Sequence, residues 1–319
     1  MKLSKKQAQN IANLYDLGKV KSIKLIKGGW INYNFDLKTD KGRFIIRVLS
    51  YKMTKKRKFE KQEEFKLLNF INNSNFSYKT PLPIKNRNES YFSKINGRYY
   101  WVYKWIEGEH AKKNEDKNIE DVAKALAIYH KSVLNFKPKL KRETLGGLNW
   151  LVKDYKKLEN INVKNKVDKL MTDNYDYFSD LLSKMLKLKF NPKPIINHAD
   201  LDKSNVLLKN DKIIAFLDFD NLTYGSKLFD LSHTVKSFCH VTDRIDRKRY
   251  NLFLKSYQIQ GKLTNEETKM LPYFILRECI ADFWWMYLGM DKKVAKLDYY
   301  IKWNIDFVNN LVEDFKLFK

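Results

Sequence analysis

Between Ser22 and Leu49 the pattern of apolar and polar positions reads as three short strands: SIKLIK, INYNFDLK and RFIIRVL. Gly28-Gly29 separates the first two and Asp40-Lys41-Gly42 the last two, so the pattern predicts an antiparallel meander of three strands. From about Lys55 to Asn72 the period changes to that of a helix, with Glu64, Leu67, Leu68 and Ile71 on a single face. Glu64 therefore lies along an apolar stripe, where an unpaired carboxylate is costly. TPLPI must be extended, and YFSKINGRYYWVYKW after it folds back at Asn96-Gly97, a strong hairpin signal. At IEGE, Gly108 permits a sharp change of direction.

Beyond Gly108 the helical period dominates. It runs through IEDVAKALAIYHKSV, LMTDNYDYFSDLLSKMLKLK, Asn265 to Gly289 with a break or kink expected at Pro272, and Ala295 to Phe315. One interruption stands out: NVLL and KIIAFLDF, joined by Lys209-Asn210-Asp211-Lys212, read as a β-hairpin. There is no internal repeat and no low-complexity linker. The expected organisation is α+β, with a strand-rich lobe over residues 1–105 and a larger, mainly helical lobe over 106–319.

Composition narrows the class without naming a function. A chain of 319 residues, 44% apolar and 14% aromatic, can bury one large core or two modest ones. Two cysteines, Cys239 and Cys279, are too few and too far apart for a disulfide framework or a thiolate metal site. The N-terminus has positive charge but no apolar run behind it, which argues against a cleaved signal peptide. The longest apolar stretch, Cys279 to Met290, contains Asp282 and is too short to span a membrane. A cytoplasmic protein is the expectation. The balance of 62 basic to 37 acidic residues gives a net charge of +25, which draws polyanions in general. The lysines are dispersed among acids, as in KKRKFEKQEEFK, and no nucleic-acid reader motif accompanies them, so a solvated surface and no specific nucleic-acid partner are expected.

Candidate chemistry concentrates in PIINHADLDKSNVLLKNDKIIAFLDFDNLTYGSKLFDLSH, Pro194 to His233. Asn205 opens the first strand of the expected hairpin and Asp218 closes the second, so the two meet at its open end, with Asp200 on the loop just before. Carboxylate and amide oxygens are hard ligands suited to magnesium, which keeps several waters and recruits phosphate oxygens.

These residues carry a specific resemblance. His198-Ala199-Asp200-Leu201-Asp202-Lys203-Ser204-Asn205 resembles the H-x-D-x-x-x-x-N catalytic loop of kinases, and Asp218-Phe219-Asp220 falls where their D-F-G would be. From Gly28 to the last helices the chain is similar to the aminoglycoside phosphotransferase, choline kinase and homoserine kinase superfamily, most of all to its homoserine-kinase-like and spore-coat-kinase-like branches. The resemblance implies a bilobal protein-kinase-like fold, ATP or GTP with Mg2+ as cofactors, and a nucleotide and a small-molecule acceptor as partners. It casts Asp200 as the base that takes the acceptor's hydroxyl proton, Asn205 and Asp218 as metal ligands, and Asp220 as a further ligand or substrate contact. His198 and Asp230 would order the catalytic loop. Ala199 departs from the family's common Gly.

In the small lobe IKGGWINYNF is similar to the family's phosphate-covering loop, in which Gly28 and Gly29 let the backbone approach the nucleotide. Arg47 stands where protein kinases place a phosphate-binding lysine and can form a bidentate pair with Glu64. Tyr103, Trp105 and Ile106 could line the adenine slot or equally form strand core. Arg277, Glu278, Asp282, Trp284, Trp285 and Tyr287 share a helix that borders the acceptor site in related enzymes, with Asp282 and Trp285 the candidate contacts. The implied function is ATP-dependent transfer of a phosphoryl group to a hydroxyl of a small molecule such as homoserine, another amino alcohol or a sugar. The alternatives are an aminoglycoside-modifying kinase and a non-catalytic kinase-fold binding or spore-coat-type protein. Without G-x-G-x-x-G, the Gly of D-F-G and any A-P-E segment, a peptide substrate is not expected.

Overall fold

The computed structural model describes residues 1–26, 32–50, 52–74, 76–111, 116–143, 147–159, 161–289 and 296–319. In chain order its elements are α1 (Lys5–Leu14), β1 (Val20–Leu25), β2 (Tyr33–Thr39), β3 (Arg43–Val48), α2 (Lys55–Asn72), β4 (Ser93–Ile95), β5 (Arg98–Lys104) and β6 (Glu109–His110). There follow α3 (Asp116–Ser132), α4 (Leu148–Tyr155), α5 (Lys166–Asp173), α6 (Tyr175–Leu186), β7 (Ile195–Asn197), β8 (Val206–Lys209), β9 (Lys212–Phe216) and β10 (Thr223–Gly225). The chain closes with α7 (Leu228–Cys239), β11 (His240–Val241), β12 (Arg244–Ile245), α8 (Arg247–Gln260), α9 (Asn265–Gly289) and α10 (Leu297–Asp314). Two compact units result: Met1–Glu109 with Leu207–Asn210 and Ile214–Asp220, and His110–Val206 with Asp211–Ile213 and Asn221–Lys319. The chain is α+β, as expected.

The first unit is built on an antiparallel sheet ordered β1-β2-β3-β5-β4. Because side chains alternate across a strand, Ile46 and Val48 of β3 share one face with Tyr100 and Val102 of β5, and that face is covered by Ala8, Ile11 and Ala12 of α1. Arg47 and its cross-strand partner Trp101 consequently fall on the other face, toward α2. There Phe65 packs edge-on to Trp101, and Leu67, Leu68 and Ile71 are fully buried, each worth roughly 1.5–3 kcal/mol relative to exposure. The Asn96-Gly97 turn between β4 and β5 has both residues at positive φ (49° and 74°), the geometry that makes this dipeptide a tight hairpin. α1 has no counterpart among the elements predicted above. Its signal is the capping box Ser4-Lys5-Lys6-Gln7, in which Ser4 and Gln7 satisfy each other's backbone N–H.

In the second unit α3 packs on α8, α7 on α9, and α9 on α10. Two departures from the periodicity reading have local causes. The helix expected over 170–189 is two helices, broken at Asn174, whose side chain donates to the Leu170 carbonyl at 2.8 Å and whose backbone leaves the helical region. Pro272, by contrast, does not end α9, which runs from Asn265 to Gly289. Leu271, Phe274, Ile275, Leu276, Cys279, Ile280 and Phe283 are all buried along it, and that burial outweighs a proline penalty of about 3 kcal/mol. β7 pairs antiparallel with β10, Ile195 opposite Gly225 and Asn197 opposite Thr223, which fixes the start of the loop that follows.

Candidate active site

The loop after β7 is held from beneath by Asp230, fully buried in the first turn of α7. Its carboxylate accepts the backbone N–H of His198 at 3.0 Å and of Ala199 at 2.5 Å, and the ring of His130 lies 3.0 Å away. Ala199 has φ of 60°, a left-handed conformation that costs an L-residue roughly 1–2 kcal/mol and that glycine adopts freely. The two hydrogen bonds to Asp230 hold it there. His198 is buried, and its Nδ1 accepts the Asp200 N–H at 3.3 Å. Asp202 gathers the N–H groups of Ser204 and Asn205 and the Ser204 hydroxyl on one oxygen. Asn205 donates its side-chain NH2 to the Asp200 carbonyl at 2.7 Å, which turns its amide oxygen to other partners.

Both oxygens of the Asp200 carboxylate have a fixed neighbour. Asn221 donates to Oδ2 at 3.0 Å, and His233 Nε2 stands 3.3 Å from Oδ1. The other ring nitrogen, Nδ1, is 3.1 Å from Glu278, which also accepts from Arg277 at 2.9 Å. Burial by itself would lower the His233 pKa; its hydrogen bonds to Asp200 and Glu278 outweigh that and hold it well above the ordinary histidine range. Burial pushes the Glu278 carboxyl up, but His233 and Arg277 bring it down to about 2. Asp200, Asp202 and His233 lie close enough for a cation site by distance alone. Each ring nitrogen of His233 already has a carboxylate beside it, Nε2 that of Asp200 and Nδ1 that of Glu278, so the ring bridges the two acids. Of the candidate acceptor contacts, Asp282 is paired with Lys236 of α7, and Trp285 is about half exposed.

Asp218 belongs to the first unit, as do Asp220, Arg47 and Glu64. Arg47 donates through Nη2 to Asp218 at 2.7 Å and to Asp220 at 2.8 Å. This corrects the expected Arg47–Glu64 pair. Glu64 is bonded instead to Lys61, one helical turn earlier on α2, and Lys61 also donates to Asp220. An i, i+3 neighbour on the same helix face reaches Glu64 with no change of strand, which frees the guanidinium for the two aspartates. Lys61 and Glu64 are each 4% exposed, Lys61 Nζ lies 5.0 Å from the Trp101 ring centroid, and the Asn32 amide donates to Asp220 at 2.9 Å. Lys61 is the functional candidate that periodicity reading passed over. The signal was present, since a buried Glu64 demanded a cation and Lys61 shares its helix face.

Three carboxylates thus face two cations, and the Asn32 amide oxygen is buried without a partner among the described residues. An acid-rich cluster with an orphaned oxygen fits a divalent cation. Burial pushes Glu64 up to about 7 against the pull of Lys61. Between its ordinary value of 4.5 and about 7, the unfolded chain has released this proton while the folded chain keeps it, so stability declines as pH rises through that window. Glu64→Gln removes this decline. Urea unfolding of both proteins at pH 4.5 and 7.5 should show a difference on the order of 3 kcal/mol in how much stability each loses.

Tyr103 is buried on β5 beside Arg47, and burial pushes its hydroxyl up to about 12. Trp105 follows the strand with one ring face covered by Arg43 at 3.5 Å and its N–H given to Glu107 at 2.8 Å; Ile106 is half-buried. Gly28 and Gly29 lie outside the described residues.

Against known proteins, residues 22–259 match the phosphotransferase enzyme family. Homoserine kinase of Methylobacillus flagellatus is 24% identical over 88% of this chain and 84% of its own length, and homoserine kinase of Bradyrhizobium diazoefficiens is 26% identical over 81% and 76%. Among solved structures, an amicoumacin kinase in complex with AMP-PNP, Ca2+ and Ami superposes with a TM-score of 0.72 over 94% of this chain and 92% of its own, at 15% identity. A microcompartment-associated aminopropanol kinase does so at 0.69, with 15% identity and coverages of 97% and 98%. The fold is accordingly the two-lobed kinase-like one. Among the described residues no helix is long and apolar enough to cross a membrane.

Proposed function

We propose, for a chain that belongs to the phosphotransferase enzyme family, that the phosphate acceptor is the hydroxyl of a small amino acid or amino alcohol of the homoserine type and that the divalent cation is magnesium. The chain is an ATP-dependent small-molecule kinase. The observation that carries the reading of its base is the Asp200 carboxylate, fixed at both oxygens by Asn221 and His233 on a loop clamped by Asp230. A carboxylate so oriented can accept a hydroxyl proton as the oxygen attacks phosphorus. What supports this acceptor is the likeness to homoserine kinases, which align with most of this chain.

In this reading Asn205 and Asp218, with Asp220 as a further oxygen donor, hold the cation, which when bound neutralises charge on the nucleotide phosphates. Arg47 and Lys61 supply positive charge beside Asp218 and Asp220, Gly28 and Gly29 cover the phosphates, and Tyr103, Trp105 and Ile106 border the base. His198 and Asp230 keep the loop in register, while Asp282 and Trp285 face the acceptor. The lobes are proposed to divide at residues 105 and 106. Buried cysteines at positions 239 and 279 fit a reducing, cytoplasmic setting.

ADP release should be measured with magnesium and ATP across homoserine, aminopropanol, simple sugars and aminoglycosides. Homoserine or another small amino alcohol is expected to exceed any aminoglycoside by at least about tenfold in kcat/KM, a difference of roughly 1.4 kcal/mol in transition-state binding. Preference for an aminoglycoside overturns the acceptor assignment, and turnover undiminished by EDTA overturns the metal assignment.

A further inference from the structure

The side chains around Asp200 form a chain of alternating charge that runs from the loop into the last helices: Asp200, His233, Glu278 and Arg277, with Lys236 and Asp282 paired alongside. One ring connects two things that a kinase must set independently. Through Nε2 His233 meets Asp200, and through Nδ1 it meets Glu278 of α9, the helix that also carries Asp282 and Trp285. We infer that His233 is a positioning residue for phosphoryl transfer, locking the Asp200 carboxylate through one nitrogen and the acceptor-facing helix α9 through the other. The inference rests on the reading of Asp200 as base.

The geometry gives this physical content. A carboxylate bonded to Asn221 alone is held at one oxygen and can still pivot about that single hydrogen bond. A second donor on the opposite oxygen fixes the plane and leaves a defined lone-pair direction for the incoming proton. A small misorientation of a catalytic group is enough to cost up to about a hundredfold in rate. The ring does not stand alone with its charge. Asp200, Asp202 and Glu278 are the acids that face it, while Arg277 pairs with Glu278 and Lys236 with Asp282, so the ring has an acidic neighbour at each nitrogen. The sequence places His233 three residues after Asp230 on α7. Asp230 clamps the loop backbone and His233, one turn on, takes the loop's carboxylate.

Two substitutions separate the two bonds. In His233→Asn the amide NH2 falls near the position of Nδ1 and keeps the Glu278 contact while losing Asp200. In His233→Gln it falls near Nε2 and keeps Asp200 while losing Glu278. Steady-state kinetics with the acceptor found above should show kcat reduced about tenfold or more in H233N with acceptor KM little changed. H233Q should recover at least about fivefold of that kcat and instead raise acceptor KM. Melting temperature is followed for each variant, and kinetics are taken below the lower of the two. Equal losses in both variants, or wild-type kinetics in both, overturn the inference. Asp200→Asn run in parallel separates the premises: an inactive D200N beside a normal H233N removes the role of His233 alone, whereas an active D200N removes Asp200 as the base and this inference with it.

Discussion

Asp200→Asn lowers kcat about a thousandfold, within the range expected for loss of a general base, while ATP binding measured by calorimetry stays within about threefold of wild type. The substitution preserves size, so the clamp at Asp230 still holds the loop backbone where it is, and an amide oxygen at position 200 can still accept from Asn221. What disappears is the acceptor for the hydroxyl proton. Turnover of D200N within tenfold of wild type would show that the attacking hydroxyl loses its proton elsewhere, and the family's catalytic-loop assignment would not transfer to this chain. Loss of nucleotide binding along with turnover would instead mark Asp200 as part of the cation and phosphate machinery.

Lys61→Met destabilises the first unit by about 3 kcal/mol or more at pH 8, read from urea unfolding. The side chain is buried and bonded to both Glu64 and Asp220, and methionine fills its volume without its charge. Asp220 keeps Arg47 as a partner, so the uncompensated group is Glu64. Burial already pushes that carboxyl up to about 7, and removing the neighbouring cation raises it further, so it can take a proton instead of remaining a buried charge. The loss should therefore be smaller at pH 6 than at pH 8. K61M/E64Q should recover part of the stability, because both members of the pair are then uncharged. A K61M protein as stable as wild type at pH 8 would mean that the Lys61–Glu64 bond contributes nothing net. A double variant no better than K61M would place the cost in lost packing.

Much of this protein is written in local patterns. Period-two alternation set β2 and a short apolar run bounded by turn residues set β3; because successive side chains of a strand point to opposite faces, Arg47 lies on the face opposite α1, to which Ile46 and Val48 are committed. The Asn96-Gly97 turn, the helix Lys55–Asn72 and the Asn205 to Asp218 hairpin follow from turn chemistry and spacing within a few residues. The loop His198 to Asn205 was legible because its residue types and spacing resemble the catalytic loop of kinases. Tertiary packing decided the rest. Pro272 sits inside a continuous helix because burial along α9 exceeds what one missing N–H costs, a sum that no local window contains. The partner of Glu64 was settled by competition: Arg47 and Lys61 are both cations within reach of the same acids, and two aspartates distant in sequence draw the guanidinium away. His233 meeting Asp200 and Glu278 depends on α7 packing against α9, so its raised pKa is a property of the fold and not of the DLSH motif. Sequence determines which charges are present and on which face of their own element. Only the packing of elements decides which opposite charge each one meets, since burial makes an unmatched charge costly and the nearest available counter-charge is set in three dimensions.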